Sequence, residues 1–291
     1  MRNNGRCNLC SDPDTLDHSS EVATIASNVR KFKSERFTVW RCRSCRSIHA
    51  RDAVDLDRYY AGYPFHRQRL DWKLRAVYRS IIRRLKRAGV SRDHHILDYG
   101  CGSGHLVTFL KSKGYLNAAG YDAYSENFWD PAVLEGKYLC IIAQDLIEHV
   151  DDPRSILRTF DDLAQPGAVI FIGTPNADAI DLDHAERHIH TLHQPFHTHM
   201  FSKDALVQAG GRIGWALDKI YMTNYTNTLV PCLNLRFGLH YAACFDNTID
   251  LAFERFHISR KLLSPRSLYL AFFGYFRPPQ ADITAVFRKP R

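Results

Sequence analysis

His94-His-Ile-Leu-Asp-Tyr-Gly-Cys-Gly-Ser-Gly-His105 decides the fold. A short apolar strand runs into Asp98, glycines follow at 100, 102 and 104, and a helix begins directly after them. Glycines in such a loop let backbone N–H groups approach a ligand closely at the carboxyl edge of a parallel sheet, where the next helix favours negative groups. The spacing D-x-G-x-G-x-G differs from the G-x-G-x-x-G of dinucleotide folds. It suits a nucleotide-type cofactor carrying a carboxylate and a ribose better than one carrying a pyrophosphate. Asp98, Tyr99, Gly100, Cys101, Gly102 and Gly104 are the candidate cofactor contacts in this loop.

Further segments follow at matching separations. After a helix around 106–112, the run Leu116-Asn-Ala-Ala-Gly-Tyr-Asp122 reads as a second strand ending in an acid, and a carboxylate there can accept both ribose hydroxyls. Tyr138-Leu-Cys-Ile-Ile-Ala-Gln144-Asp145-Leu-Ile-Glu148-His149-Val is a longer apolar strand with an E-H-V edge, followed by a helix start at Asp152-Pro153. Another strand, Ala168-Val-Ile-Phe-Ile172, ends in Thr174-Pro-Asn176, and Trp215–Met222 and Ala281–Phe287 supply the last two. Strands alternating with helices give an α/β fold.

In register, these segments resemble the class I S-adenosylmethionine (SAM) methyltransferases. The resemblance implies a Rossmann-like sheet and SAM as cofactor. By that resemblance Asp122 with Ala123, and Gln144 with Asp145, join the loop residues as cofactor contacts. Between Asp122 and Tyr138 there are 15 residues, too few for the helix, strand and loop that usually occupy this interval. The family's third strand is therefore expected to be missing or vestigial, leaving Phe128, Trp129 and Asp130 as candidates for the adenine wall. Roughly 55 residues separate the last two strands, which normally form a hairpin, and so long an insertion reads as a helical substrate lid. The expected organisation is a zinc-ribbon module at 1–54, a connector and basic helix at 55–89, the SAM-binding core at 90–223, the lid at 224–279 and the final core strand at 280–291.

The metal reading comes from Cys7-Asn-Leu-Cys10 and Cys42-Arg-Ser-Cys45. Two C-x-x-C pairs offer four thiolates for one tetrahedral, structural zinc, with a short β-ribbon between them. Disulfides are the competing reading, disfavoured in a reducing compartment. Cys101, Cys140, Cys232 and Cys244 are scattered and read as packing or incidental residues.

The chain has 291 residues, 45% of them hydrophobic, enough for a sizeable α/β core. No apolar run approaches the roughly 20 residues of a membrane span, and a cytoplasmic location is expected. The net charge of +8, from 39 Lys and Arg against 31 Asp and Glu, suits an anionic acceptor. Much of it lies at 67–87, where Leu70, Leu74, Val77, Ile81 and Leu85 recur at helical spacing while Lys73, Arg75, Arg79, Arg83, Arg84 and Arg87 fall largely elsewhere. That pattern reads as a solvated helix face or as a site for phosphates.

SAM is already activated by its sulfonium, so the protein must align the acceptor and, for a weak nucleophile, remove a proton. Glu148 and His149 lie just past a strand end, near the expected methyl position, and read as catalytic or as packing. The segment 184–199 holds six histidines. Its tail, His197-Thr-His199-Met-Phe-Ser, resembles a loop that borders the acceptor pocket in many small-molecule methyltransferases, which adds His199 to the catalytic candidates. A second metal is the alternative use of these imidazoles. Tyr59, Tyr60 and Tyr63 could cap the site or pack the zinc module.

Zinc ribbons joined to this core resemble enzymes acting on nucleotide-linked sugars and secondary metabolites, although this chain is too short for the further carboxy-terminal domain of the sugar C-methyltransferases. The expected reaction is O- or N-methylation of a glycan, nucleotide-sugar or secondary metabolite. An RNA methyltransferase using the zinc ribbon and basic helix, and a non-catalytic SAM-fold binding protein, are the alternatives.

Overall fold

The computed structural model describes residues 6–10, 15–19 and 21–291. Strands β1 (Val22–Ala26), β2 (Arg36–Arg41) and β3 (Ile48–Ala50) form an antiparallel meander. Helices α1 (Leu56–Tyr60) and α2 (Trp72–Arg87) lead to β4 (Ile96–Tyr99), α3 (His105–Ser112), β5 (Ala118–Tyr121) and β6 (Tyr138–Gln144). Then come α4 (Pro153–Leu163), β7 (Ala164–Pro175), α5 (Ile189–Leu192), β8 (His199–Met200), α6 (Lys203–Ile213) and β9 (Ala216–Tyr221). Helices α7 (Leu235–Cys244) and α8 (Pro265–Phe273) precede β10 (Asp282–Arg288).

The main sheet has the order β5-β4-β6-β7-β10-β9. Its first four strands are parallel, and β10 runs antiparallel to both neighbours. As expected, the family's third strand is missing: β5 is the sheet edge, and a single 3-10 turn, Pro131–Glu135, lies between β5 and β6. With no strand outside β5, the carboxyl edge of the parallel strands ends there.

Side-chain alternation explains the layers. Leu97, Ile141, Ile170 and Ile172 face one way, toward Leu157 and Phe160 of α4 and Leu206 of α6. Ile96, Cys140, Ile142 and Phe171 face the other way, toward Ile81 and Leu85 of α2 and Phe109 of α3. Burial on both faces is why β6 and β7 read as unbroken apolar runs. Helix α2 starts where the Asp71 carboxylate accepts from the Leu74 amide at 2.9 Å, and the chain turns away at Gly89, with φ +79°.

One residue of α2 departs from the expected solvated face. Arg84 is buried, donating to Thr284 Oγ1 at 2.9 Å and lying over the Tyr221 ring at 4.6 Å. Position 84 falls beside 77, 81 and 85 on the helix, so the stripe itself carries it inward. Lys73, Arg75, Arg79, Arg83 and Arg87 are exposed.

The meander does not stand apart from the core. Strand β8, from the histidine-rich loop, pairs with β3 and extends the small sheet to β1-β2-β3-β8. Cys7, Leu9, Cys10, Trp40 and Cys42 belong to the same apolar cluster as Leu157, Phe160 and Leu206. Residues 224–279 gather their own cluster around Phe237, Tyr241, Leu251, Leu262 and Ala271, tied to the amino-terminal part by Arg30, which bonds Asp246 and Glu254. Among the described residues no helix is long and apolar enough to cross a membrane.

Candidate functional site

The glycine loop stands at the carboxyl end of β4 with Gly100, Gly102 and Gly104 at φ +80°, +54° and +69°, the left-handed region that other residues enter at a cost. The Gly102 amide donates to Asp122 Oδ2 at 2.8 Å, and the Tyr124 amide donates to Oδ1 at 2.9 Å. The two strand ends are thereby clasped, with the Asp122 carboxylate beside the loop. Asp98 is buried at the base, and burial, assisted by the Asp122 charge, pushes its carboxyl up to about 7.

Phe128 covers the loop: a Cβ on Gly104 would overlap its ring, and one on Gly120 would approach it at 3.1 Å. Of the three aromatic-segment candidates, Phe128 faces the loop, Trp129 is 62% exposed, and Asp130 caps the 3-10 turn by accepting from the Ala132 amide. Tyr99 turns its ring to Tyr121 and Phe160, and it pairs with Tyr121 in the β4–β5 ladder. Cys101 is half-buried, its thiol pushed up by burial, and Ala123 is exposed beside Asp122. At the end of β6, Gln144 donates to Asp145 Oδ1 at 2.8 Å, and Tyr225 of the 224–279 insertion donates to Asp145 Oδ2 at 2.9 Å. No sequence spacing pointed to Tyr225, which lies 80 residues from its partner.

Beyond Asp145, the chain is stitched to the histidine-rich loop. The Thr198 amide donates to the Glu148 carbonyl at 2.8 Å, His199 Nε2 to the Ile147 carbonyl at 2.8 Å, and His149 Nδ1 to the Phe196 carbonyl at 3.1 Å. This stitching brings His197 Nε2 to 4.0 Å from Glu148 Oε1 and sets the His149 and His197 rings 4.9 Å apart. Burial lowers His149 to about 4 and His197 well below its usual value, so both imidazoles are neutral near pH 7. Burial, with the Asp145 charge, raises the Glu148 carboxyl, and Thr174 Oγ1 donates to its Oε2 at 2.9 Å.

His199 is placed otherwise. It lies in β8, opposite His49, with Nδ1 at the Thr198 hydroxyl and burial lowering it to about 3. The structure thus groups Glu148 and His149 with His197, and seats His199 in the small sheet. Tyr60 and Tyr63 do reach this region, with hydroxyls 3.3 Å from His149 Nδ1 and 3.0 Å from His193 Nε2. Tyr59 is buried between Phe32 and Phe37.

Cys7, Cys10, Cys42 and Cys45 converge, with Sγ separations of 3.6 Å (7 to 10), 3.7 Å (7 to 45) and 3.9 Å (10 to 42). A zinc tetrahedron with bonds of about 2.3 Å has edges of about 3.8 Å, which these three separations match.

Residues 71–220 match the family model of a methyltransferase domain. The ubiquinone biosynthesis O-methyltransferase of Cronobacter sakazakii is 29% identical over 116 residues, 32% of this chain and 47% of that protein. The protein of the same name in Colwellia psychrerythraea is 26% identical over 150 residues, 43% of this chain and 59% of that protein. The chain thus spans about half the length of these curated relatives. Among solved structures, a SAM-dependent methyltransferase from Archaeoglobus fulgidus is similar with a TM-score of 0.44 at 16% identity, over 73% of this chain and 94% of that one. One from Mesorhizobium loti has a TM-score of 0.43 at 15% identity, over 72% and 98%.

Proposed function

The chain belongs to the methyltransferase-domain family, and from that premise we propose that it uses SAM to methylate an oxygen of a small-molecule acceptor. When bound, SAM supplies a methyl group already activated on a sulfonium. The residues fit it: the Gly100–Gly104 amides can approach its polar groups, Asp122 offers an acceptor for ribose hydroxyls, and Phe128 bounds the adenine. Gln144 and Asp145 border the same edge, held from the far side by Tyr225. Residues 224–279 serve as the acceptor lid, and the four cysteines hold a structural zinc.

The observation that carries this reading is the clasp between Gly102 and Asp122 at the carboxyl edge of two adjacent parallel strands. Glu148 and His149 follow the next strand of that edge and meet the acceptor, with a neutral imidazole available as a base or a ligand. Oxygen is preferred as the methylated atom because the curated relatives are O-methyltransferases. The exposed cations of α2 suit an anionic acceptor such as a glycan phosphate or a nucleotide-sugar.

The test is transfer from methyl-labelled SAM in an extract of small molecules and in total RNA. Label in a nuclease-resistant small molecule supports the proposal. Label in RNA, with binding that falls steeply with salt, would replace it by the RNA reading. SAM binding without transfer to either would favour a non-catalytic binding protein.

A further inference from the structure

Glu148 is 1% exposed, and its Oε1 has no hydrogen-bond partner. An orphaned, fully buried carboxylate oxygen is costly unless something cationic or acidic meets it. His197 Nε2 points at it from 4.0 Å, too far for a hydrogen bond from either group in either protonation state. The remaining bonds fix which atoms are free. His197 Nδ1 lies 2.9 Å from the Thr191 carbonyl and His149 Nδ1 lies 3.1 Å from the Phe196 carbonyl. A carbonyl accepts only, so each Nδ1 carries the proton and each Nε2 keeps its lone pair. Backbone carbonyls that hold the far nitrogen are the usual means of orienting metal-bound histidine. The three residues can each present one ligand atom within 4.8 Å of the others.

We propose that Glu148, His149 and His197 bind a divalent first-row transition ion, a metal site separate from the four cysteines. Two imidazoles and a carboxylate are a donor set for such ions, and three protein ligands leave positions open for the acceptor. Bonds of about 2.1 Å at near-tetrahedral angles put ligand atoms about 3.4 Å apart, so the 4.0 Å from Glu148 to His197 must close by less than an ångström. The ion's role rests on the methyl-transfer reading. It binds the acceptor hydroxyl and lowers its pKa, so that the hydroxyl proton passes to solvent. The oxygen then forms the O–CH3 bond as the S–CH3 bond breaks, and that electron pair stays on sulfur, which becomes neutral. His149 is in this arrangement a ligand and not the base.

The experiment adds cobalt(II) to the zinc-loaded full chain and counts bound metals after gel filtration, with SAM calorimetry on the same samples. One cobalt beyond the zinc is expected in the native protein. Affinity for it should fall at least about tenfold in Glu148→Gln and in His197→Ala and be kept in His184→Ala, whose histidine lies outside the group, against Asp181. If the Glu148 or His197 variants unfold, NMR of the native cobalt form decides: two strongly shifted Nδ1–H signals are expected, from His149 and His197. No cobalt beyond zinc, unchanged cobalt binding in both variants, or the absence of two shifted histidine protons would overturn the proposal. Failure of SAM to bind would instead count against the methyltransferase reading and leave the metal count standing.

Discussion

The Gly102 amide donates to Asp122 Oδ2 at 2.8 Å, joining the turn after β4 to the turn after β5. The Gly100 and Cys101 amides add to it by donating to the Tyr121 carbonyl at 2.7 and 3.2 Å. A Cβ at Gly102 meets nothing within 4 Å, whereas one at Gly104 overlaps Phe128. Gly102→Ala is expected to lower stability by only the left-handed backbone term, about 1–2 kcal/mol. Gly104→Ala adds a collision and should lower the melting temperature clearly further. Equal losses in a thermal melt of the two variants would mean that Phe128 does not pack where it is placed.

Asp98 and Asp282 each have a carboxyl pushed up to about 7, by burial first and then by the charge of Asp122 and of Asp145 respectively. A folded-state pKa above the unfolded value of about 3.9 means that ionisation opposes folding. Their contribution is fully present below about pH 4 and is lost as pH rises through 7. The urea midpoint should fall between pH 5 and 8, and Asp98→Asn should flatten that fall in part, with Asp282 accounting for a further share. A steeper fall in the variant would contradict the assignment.

Removing Cys42 and Cys45 as Cys42→Ser, Cys45→Ser should abolish zinc binding, because two thiolates of four are gone. Stability should fall with it, since Cys7, Leu9, Cys10 and Trp40 share an apolar cluster with α4 and α6. Metal analysis and a melt on the same sample check both halves. Stoichiometric zinc in this variant would move the ligands elsewhere.

Tyr225→Phe deletes the bond from the 224–279 insertion to Asp145 and leaves the ring in place. The expected result is a several-fold rise in the KM for SAM with a nearly unchanged melting temperature. An unaltered KM would detach the insertion from the cofactor edge.

Much of this was legible in the chain. D-x-G-x-G-x-G located the loop because glycine takes positive φ without a Cβ penalty, as at 100, 102 and 104, and the 15 residues after Asp122 were too few for another strand, as the sheet order confirms. The pairing of β8 with β3 was not legible, because a strand of two residues, His199–Met200, carries no periodicity. His197 meets Glu148 for the same reason: Thr198 bonds the Glu148 carbonyl across 50 residues, a relation no local spacing encodes. The inward turn of Arg84 was encoded in the α2 stripe but masked by its charge, which burial against Thr284 and Tyr221 tolerates through bonds supplied from β9 and β10.

Calorimetric titration of SAM into the full chain, beside Asp122→Ala, tests the central claim most directly. One SAM per chain is expected for the native protein, with affinity reduced by about 2–3 kcal/mol in the variant as charge-assisted bonds to the ribose are lost. Absence of SAM binding by the native chain, or equal affinity in Asp122→Ala, would contradict it.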